Sequence, residues 1–182
     1  MNLTKLFAAQ KELMERIEKE HPAASGEDRF SKRVLALLVE VGECANEWRG
    51  FKYWSKDREP RLRKARAPYM DLDDADFYNP LLEEYVDGLH FVLELGIVLG
   101  FETVKPMYTF GFGSVDSEPL GWFTSIYGCI NDLREFPTEP NYRDLLDDYF
   151  GLGRALGFTW DEIEAAYFSK MAINHDRQNN GY

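Results

Sequence analysis

Apolar side chains recur at intervals of three and four along most of the chain, a period that reads as helix rather than strand. Leu3, Leu6, Phe7, Leu13, Met14 and Ile17 share one face of a first helix, with Gln10 among them, and that helix is expected to end near His21 and Pro22. Val34, Leu37, Leu38, Val41, Ala45 and Trp48 mark a second, from about Glu27 to Arg49, with Gly50 as its stop. The third, from about Leu81 to Leu99, is apolar around most of its circumference, as buried helices are. Trp122, Phe123, Ile126, Tyr127, Ile130 and Leu133 predict a fourth. Asn141 followed by Asp144 resembles an N-cap opening a fifth, through Leu145, Leu146, Tyr149 and Leu152. Thr159 and Glu162 have capping-box spacing and open a sixth, running to about His175. No strand alternation or internal repeat is found, so the expected fold class is all-α, a bundle of about six helices.

Two stretches break the period. Residues 51–80 carry a basic run (Lys56, Arg58, Arg61, Arg63, Lys64, Arg66) and then an acidic patch (Asp71, Asp73, Asp74, Asp76), and read as a long connection with at most a short helical piece. Residues 100–121 contain Pro106, Gly111 and Gly113 and read as a loop, a lid or a contact between subunits. At 182 residues the chain has the length of one domain, expected to span 1–182.

Composition narrows the function. A net charge of −11 repels both a nucleic-acid backbone and an anionic leaflet, so neither polymer nor membrane is an expected partner. The two cysteines, Cys44 and Cys129, lie in separate apolar segments and suggest neither a disulfide framework nor a thiolate metal site. Residues 1–20 lack the unbroken apolar centre of a secretory signal, and Leu89–Phe101 is too short to span a bilayer. A cytoplasmic protein is expected.

The chemistry concentrates on two helices. Glu40, Glu43 and Glu47 flank the apolar face of the second helix, and Glu83, Glu84, Asp87, His90 and Glu94 draw one polar stripe down the greasy third. Packed antiparallel, these helices would present Glu40-x-x-Glu43 to Glu84-x-x-Asp87. Four ionised carboxylates about 5 Å apart repel by roughly 3 kcal/mol per pair at an effective dielectric of about 20. The sum exceeds the net stability of a typical domain, about 5–15 kcal/mol, so the group must protonate, splay into solvent or bind a cation. All-oxygen ligation favours a hard ion, Mg²⁺ before Mn²⁺, and Mg²⁺ commonly bridges to a substrate phosphate. The ordinary fate of such acids is to solvate two amphipathic helices, and it stays open at this point.

Near the C-terminus Lys170, Asn174, Arg177 and Gln178 fall on one helical face and would cradle an anion. Basic residues there would also offset the helix dipole without any ligand.

Together these segments resemble a known family. Glu40-x-x-Glu43 within LLVEVGECANEW, the following Phe51-Lys52-Tyr53-Trp54-Ser55, Glu84-x-x-Asp87 within EEYVDGLHF, and the ending Lys170-x-x-x-Asn174-x-x-Arg177-Gln178-x-x-Gly181-Tyr182 are similar to the all-α, dimeric-type dUTP pyrophosphatases, part of a wider helical nucleoside triphosphate pyrophosphohydrolase superfamily. The resemblance implies a homodimer that hydrolyses dUTP to dUMP and pyrophosphate, with Mg²⁺, or Mn²⁺ in its place, held by Glu40, Glu43, Glu84 and Asp87. It implies that Glu43 positions or deprotonates the attacking water, and that Lys170, Asn174, Arg177 and Tyr182, with Lys52, hold the phosphate chain. It puts Gln10, Trp54 and His90 at the base and sugar. Whether dUDP is also accepted is left open. About 40 residues separate Glu43 from Glu84, longer than the usual link in the family.

Two other readings stand beside this one. The chain could hydrolyse another nucleotide, such as dCTP or a modified one, or it could be a noncatalytic helical interaction protein on the same scaffold. A nucleotide panel separates the first, because a buried base site rejects the wrong hydrogen-bonding edge; failure to bind Mg²⁺ would favour the second.

Overall fold

The computed structural model of the chain describes residues 2–66, 76–107 and 118–181. Among them run six helices: α1 (Leu3–Glu20), α2 (Arg29–Trp48), α3 (Pro80–Leu99), α4 (Pro119–Glu135), α5 (Glu139–Ala155) and α6 (Trp160–Asn179). The fold is all-α, as the apolar period predicts. The expectations attached to Asp71, Asp73, Asp74, Gly111, Gly113 and Tyr182 lie outside the described residues.

Local chemistry sets most of the boundaries. The Asn2, Asp28 and Asn79 side chains accept the free N–H groups that open α1, α2 and α3, and Pro80 enters α3 in its first turn, where its missing N–H costs nothing. Thr159 and Glu162 form a complete capping box at α6. Helix α5 departs from the expectation: its cap is Thr138, and Asn141, already helical, donates its side-chain amide to the Phe136 and Asp132 carbonyls of the preceding turn. Pro140 in the first turn makes the earlier start favourable. Helix α6 continues to Asn179, beyond His175, because its last turns pack against the start of the chain, where Arg16 donates to the His175 carbonyl and to the Asn179 side chain. The stop of α2 also differs in detail. Arg49 itself takes the left-handed cap at φ 64°, and Gly50 is required for another reason, since a Cβ there would come within 2.3 Å of the Trp48 ring.

Helix α3 is the hub. It packs against α1, α2, α5 and α6, while α4 lies against α2 and α5. This explains a helix apolar on nearly all sides: Leu81, Tyr85, Val86, Leu89, Val92, Leu93 and Leu95 are all essentially inaccessible. Two glycines on α3 receive tyrosines from α5. A Cβ on Gly88 would lie 2.2 Å from the Tyr149 hydroxyl, and one on Gly96 would lie 2.2 Å from that of Tyr142. Buried hydroxyls must find acceptors. Tyr149 donates to the Tyr85 carbonyl at 2.7 Å, Tyr85 donates back to the Tyr149 carbonyl at 3.1 Å, and Tyr142 donates to the Val92 carbonyl at 3.2 Å.

The connection from α2 to α3 holds the small strand pair β1 (Lys64–Ala65) and β2 (Phe77–Tyr78), antiparallel and two residues each. Such a ladder is too short for alternation to register in the sequence. It gives the basic run local work, for Arg63 lies over the Phe77 ring and Arg66 over the Tyr78 ring. The segment is tied down where Arg61 donates its amide to the Glu47 carbonyl and its guanidinium to the Glu47 carboxylate, both at 3.0 Å. Cys44 is buried and Cys129 half-buried, and both are free thiols.

Candidate functional site

Helix α2 supplies Glu40, α3 supplies Glu84 and Asp87, and α6 supplies a face of amides and cations. Because α2 and α3 pack along their lengths, one carboxylate oxygen each from Glu40, Glu84 and Asp87 lies within 4.8 Å of the others. Glu43, one turn on from Glu40, is exposed and is not part of that triad, although its charge acts on both Glu40 and Glu84.

Half-burial and mutual repulsion both disfavour the ionised carboxylates. Desolvation, followed by the charges of Asp87 and Glu43, pushes the Glu40 carboxyl up to about 7, and desolvation with the same neighbours and Glu40 does likewise for Glu84. Burial also raises Asp87, although Lys170 pulls the other way. Burial works against the ammonium of Lys170 too, yet hydrogen bonds to Asp87 and Glu83 outweigh it and raise its pKa. Lys170 therefore points into the acids: its Nζ donates to Asp87 Oδ2 and, at 3.2 Å, to Glu83 Oε1. Three hard oxygen donors that repel one another when ionised suit a divalent ion such as Mg²⁺.

Beside the triad opens a cavity of about 430 Å³. Glu40 and Asp87 form one wall; Lys170, Asn174, Arg177 and Gln178 line it together from α6. Gln10 and His90 come together at another part of the wall, where His90 Nδ1 lies 2.7 Å from Gln10 Oε1 and the His90 ring stacks on Tyr167 at a centroid distance of 4.2 Å. Desolvation lowers His90 to about 3, so its ring is neutral at physiological pH. Among the described residues, three buried side-chain atoms have no hydrogen-bond partner, and two of them, His90 Nε2 and Gln178 Oε1, belong to residues of this cavity. Such orphans are expected where a ligand completes the bonding.

Trp54 and Lys52 are placed elsewhere. They sit on the turn after α2, which Arg49 secures by donating to the Asp57 carbonyl at 2.8 Å. Trp54 is 65% exposed and packs edge-on against Phe51 and Tyr53, and Lys52 extends over the Phe51 ring; neither lines the cavity. A larger concavity, about 890 Å³, lies between the start of α1 and residues 102–106, but no cluster of acids converges there among the described residues.

Sequence reasoning missed Arg29, Lys32 and Arg33, which line the cavity from α2, and Tyr167. A signal for the first group exists. Arg29, Arg33 and Glu40 are spaced by four and seven, hence share a helical face, and all three line the cavity. Tyr167 carries no such signal, because an aromatic at helical spacing reads as core.

Against known proteins, a sequence model of the family described as dUTPase matches residues 2–72 and 73–182. Comparison with curated proteins finds no match.

Proposed function

The chain belongs to the dUTPase family, and from that membership we propose that it hydrolyses dUTP to dUMP and pyrophosphate in a Mg²⁺-dependent reaction, as a cytoplasmic homodimer. The observation that carries the reading is the convergence of Glu40, Glu84 and Asp87 from two helices beside a cavity that Glu40 and Asp87 line together with Lys170, Asn174 and Arg177 of α6.

Glu40, Glu84 and Asp87 would hold the metal. Bound there, it would polarise the phosphoryl oxygens and lower the pKa of a coordinated water. Mn²⁺ offers the same oxygen preference and serves as the substitute. Glu43, close to the triad but outside it, is the carboxylate left to orient and deprotonate the attacking water. Asn174, Arg177 and Gln178 would face the phosphate chain, with Lys170 beside them on the same helix; Lys52 and Tyr182 belong to the same proposal through the family motif. The protein's overall charge opposes a triphosphate, so a local basic face is needed to bind one. His90 would read the base with its orphan Nε2 and Gln10 would support it from beneath; Trp54, which stands outside this cavity, keeps a role at the sugar through the family motif alone.

Two features fit the remaining parts. No helix among the described residues is long and apolar enough to cross a membrane, and both cysteines are free, as in a reducing compartment. Leu35 and Val39, one turn apart on α2, are exposed and offer an apolar patch for a second copy.

The decisive assay is release of pyrophosphate from dUTP with and without a chelator, beside UTP, dTTP and dCTP. Activity on dUTP that chelation abolishes and Mg²⁺ restores is expected, with a loss of about 100-fold or more in Glu43→Gln. Undiminished turnover with chelator present, or in that variant, would refute the assigned roles. Preference for dCTP would move the protein to the sister activity.

A further inference from the structure

Beneath the cavity a chain of hydrogen bonds runs between helices, and its polarity is set at one end. Arg33 can only donate, and its Nε donates to Glu94 Oε2 at 3.0 Å. The other oxygen of Glu94 accepts from Gln10 Nε2 at 3.0 Å. With its NH₂ spent toward Glu94, Gln10 must turn its carbonyl oxygen the opposite way, where it accepts from the Tyr167 hydroxyl at 2.6 Å and faces His90 Nδ1 at 2.7 Å. An amide oxygen cannot donate, so Nδ1 carries the imidazole proton and Nε2 is left with a bare lone pair. Free imidazole side chains favour the other tautomer; here the network reverses the choice. That lone pair is buried and unpartnered in a residue of the cavity wall. Gln10 itself is inaccessible and has both ends of its amide engaged, so it reaches a ligand only through His90.

We propose that Glu94 acts as a positioning residue which, through Gln10, fixes the tautomer of His90, so that the pocket accepts a ring offering an N–H, the imide edge of uracil, over a ring presenting a bare nitrogen at that position, as cytosine does. The selection of uracil rests on the dUTP reading above; the tautomer does not. Thymine shares the imide edge, so this device leaves discrimination against it to shape.

The chain of donors makes a sharp prediction for Glu94→Gln, which keeps the shape of the side chain. Arg33 would claim the single oxygen of the new amide, whose NH₂ would then face Gln10 and turn that amide over. Gln10 would now donate to His90 Nδ1, and Nε2 would gain the proton. Tyr167 keeps a partner in either state, because its hydroxyl also lies 3.4 Å from the Leu6 carbonyl.

The test is imidazole ¹⁵N spectroscopy on the full-length chain at neutral pH without nucleotide, together with kcat/KM for dUTP and dCTP. Wild type should show His90 protonated at Nδ1 and bare at Nε2, Glu94→Gln should show the reverse, and the variant's preference for dUTP over dCTP should fall at least about tenfold. A wild-type His90 protonated at Nε2 overturns the proposal by itself, whether or not the variant folds. A tautomer unmoved by the substitution, or a reversal with unchanged preference, overturns it as well. Should wild type hydrolyse neither nucleotide, the function assigned above fails and with it the selection of uracil, while the spectra still decide the relay.

Discussion

Glu40 and Glu84 ionise near 7 in the folded protein and near 4.5 when free in the unfolded chain. Between those values the native state keeps protons that the unfolded chain has released, so the metal-free protein should lose stability as pH rises from about 4.5 to 7. Both groups are half-exposed, and solvent screening holds the combined loss to about 1–2 kcal/mol. Melting curves in chelator between pH 5 and 8 should show this decline, Mg²⁺ should recover more stability at pH 8 than at pH 5, and Glu84→Gln should flatten the profile. A variant profile parallel to wild type would mean that the acids do not repel as their spacing requires. Single residues also show the limit of reading a site from sequence. Glu40, Glu84 and Asp87 stand out because acids at helical spacing beside an apolar face are conspicuous, whereas Tyr167 becomes meaningful only through a partner 157 positions away.

At the scale of elements, α3 aligns the acids only because α5 is keyed into its glycines. Gly88→Ala drives a methyl into the Tyr149 hydroxyl next to Asp87, disturbing the reciprocal pair with Tyr85, and should cost about 2 kcal/mol or more. Gly128 is the control, because it is exposed in α4 and a Cβ there would have nothing within 4 Å. Gly128→Ala should stabilise by about 0.5–1 kcal/mol through helix propensity alone. Urea denaturation of the two variants checks both signs, and equal effects would remove the packing argument. Helices α1, α2, α3 and α6 are readable within a few residues because their apolar faces and caps are local signals. The start of α5 is not, since Asn141 and Thr138 are both plausible caps and the choice goes to the one that admits Pro140 into the first turn. The strand pair escapes for lack of length.

For the whole molecule, the exposed Leu35 and Val39 lie on the same helix as Glu40, so a second copy seated there would brace the metal-binding helix from outside. Sedimentation should show a dimer for wild type and a monomer for Leu35→Glu combined with Val39→Glu; a monomeric wild type would remove the dimer from the proposal. The chain's own order determined the all-α class, the acidic pairs and the basic face of α6, because helical periodicity and charge spacing are properties of near neighbours. Only the tertiary structure decided that Lys170 lies among the acids, that Trp54 and Lys52 sit apart from the cavity, and that Glu94, Gln10 and His90 meet in one hydrogen-bonded chain. Those outcomes depend on which helix faces meet at α3 and on how much water is excluded there, and contact and desolvation belong to the packed molecule rather than to any stretch of its sequence.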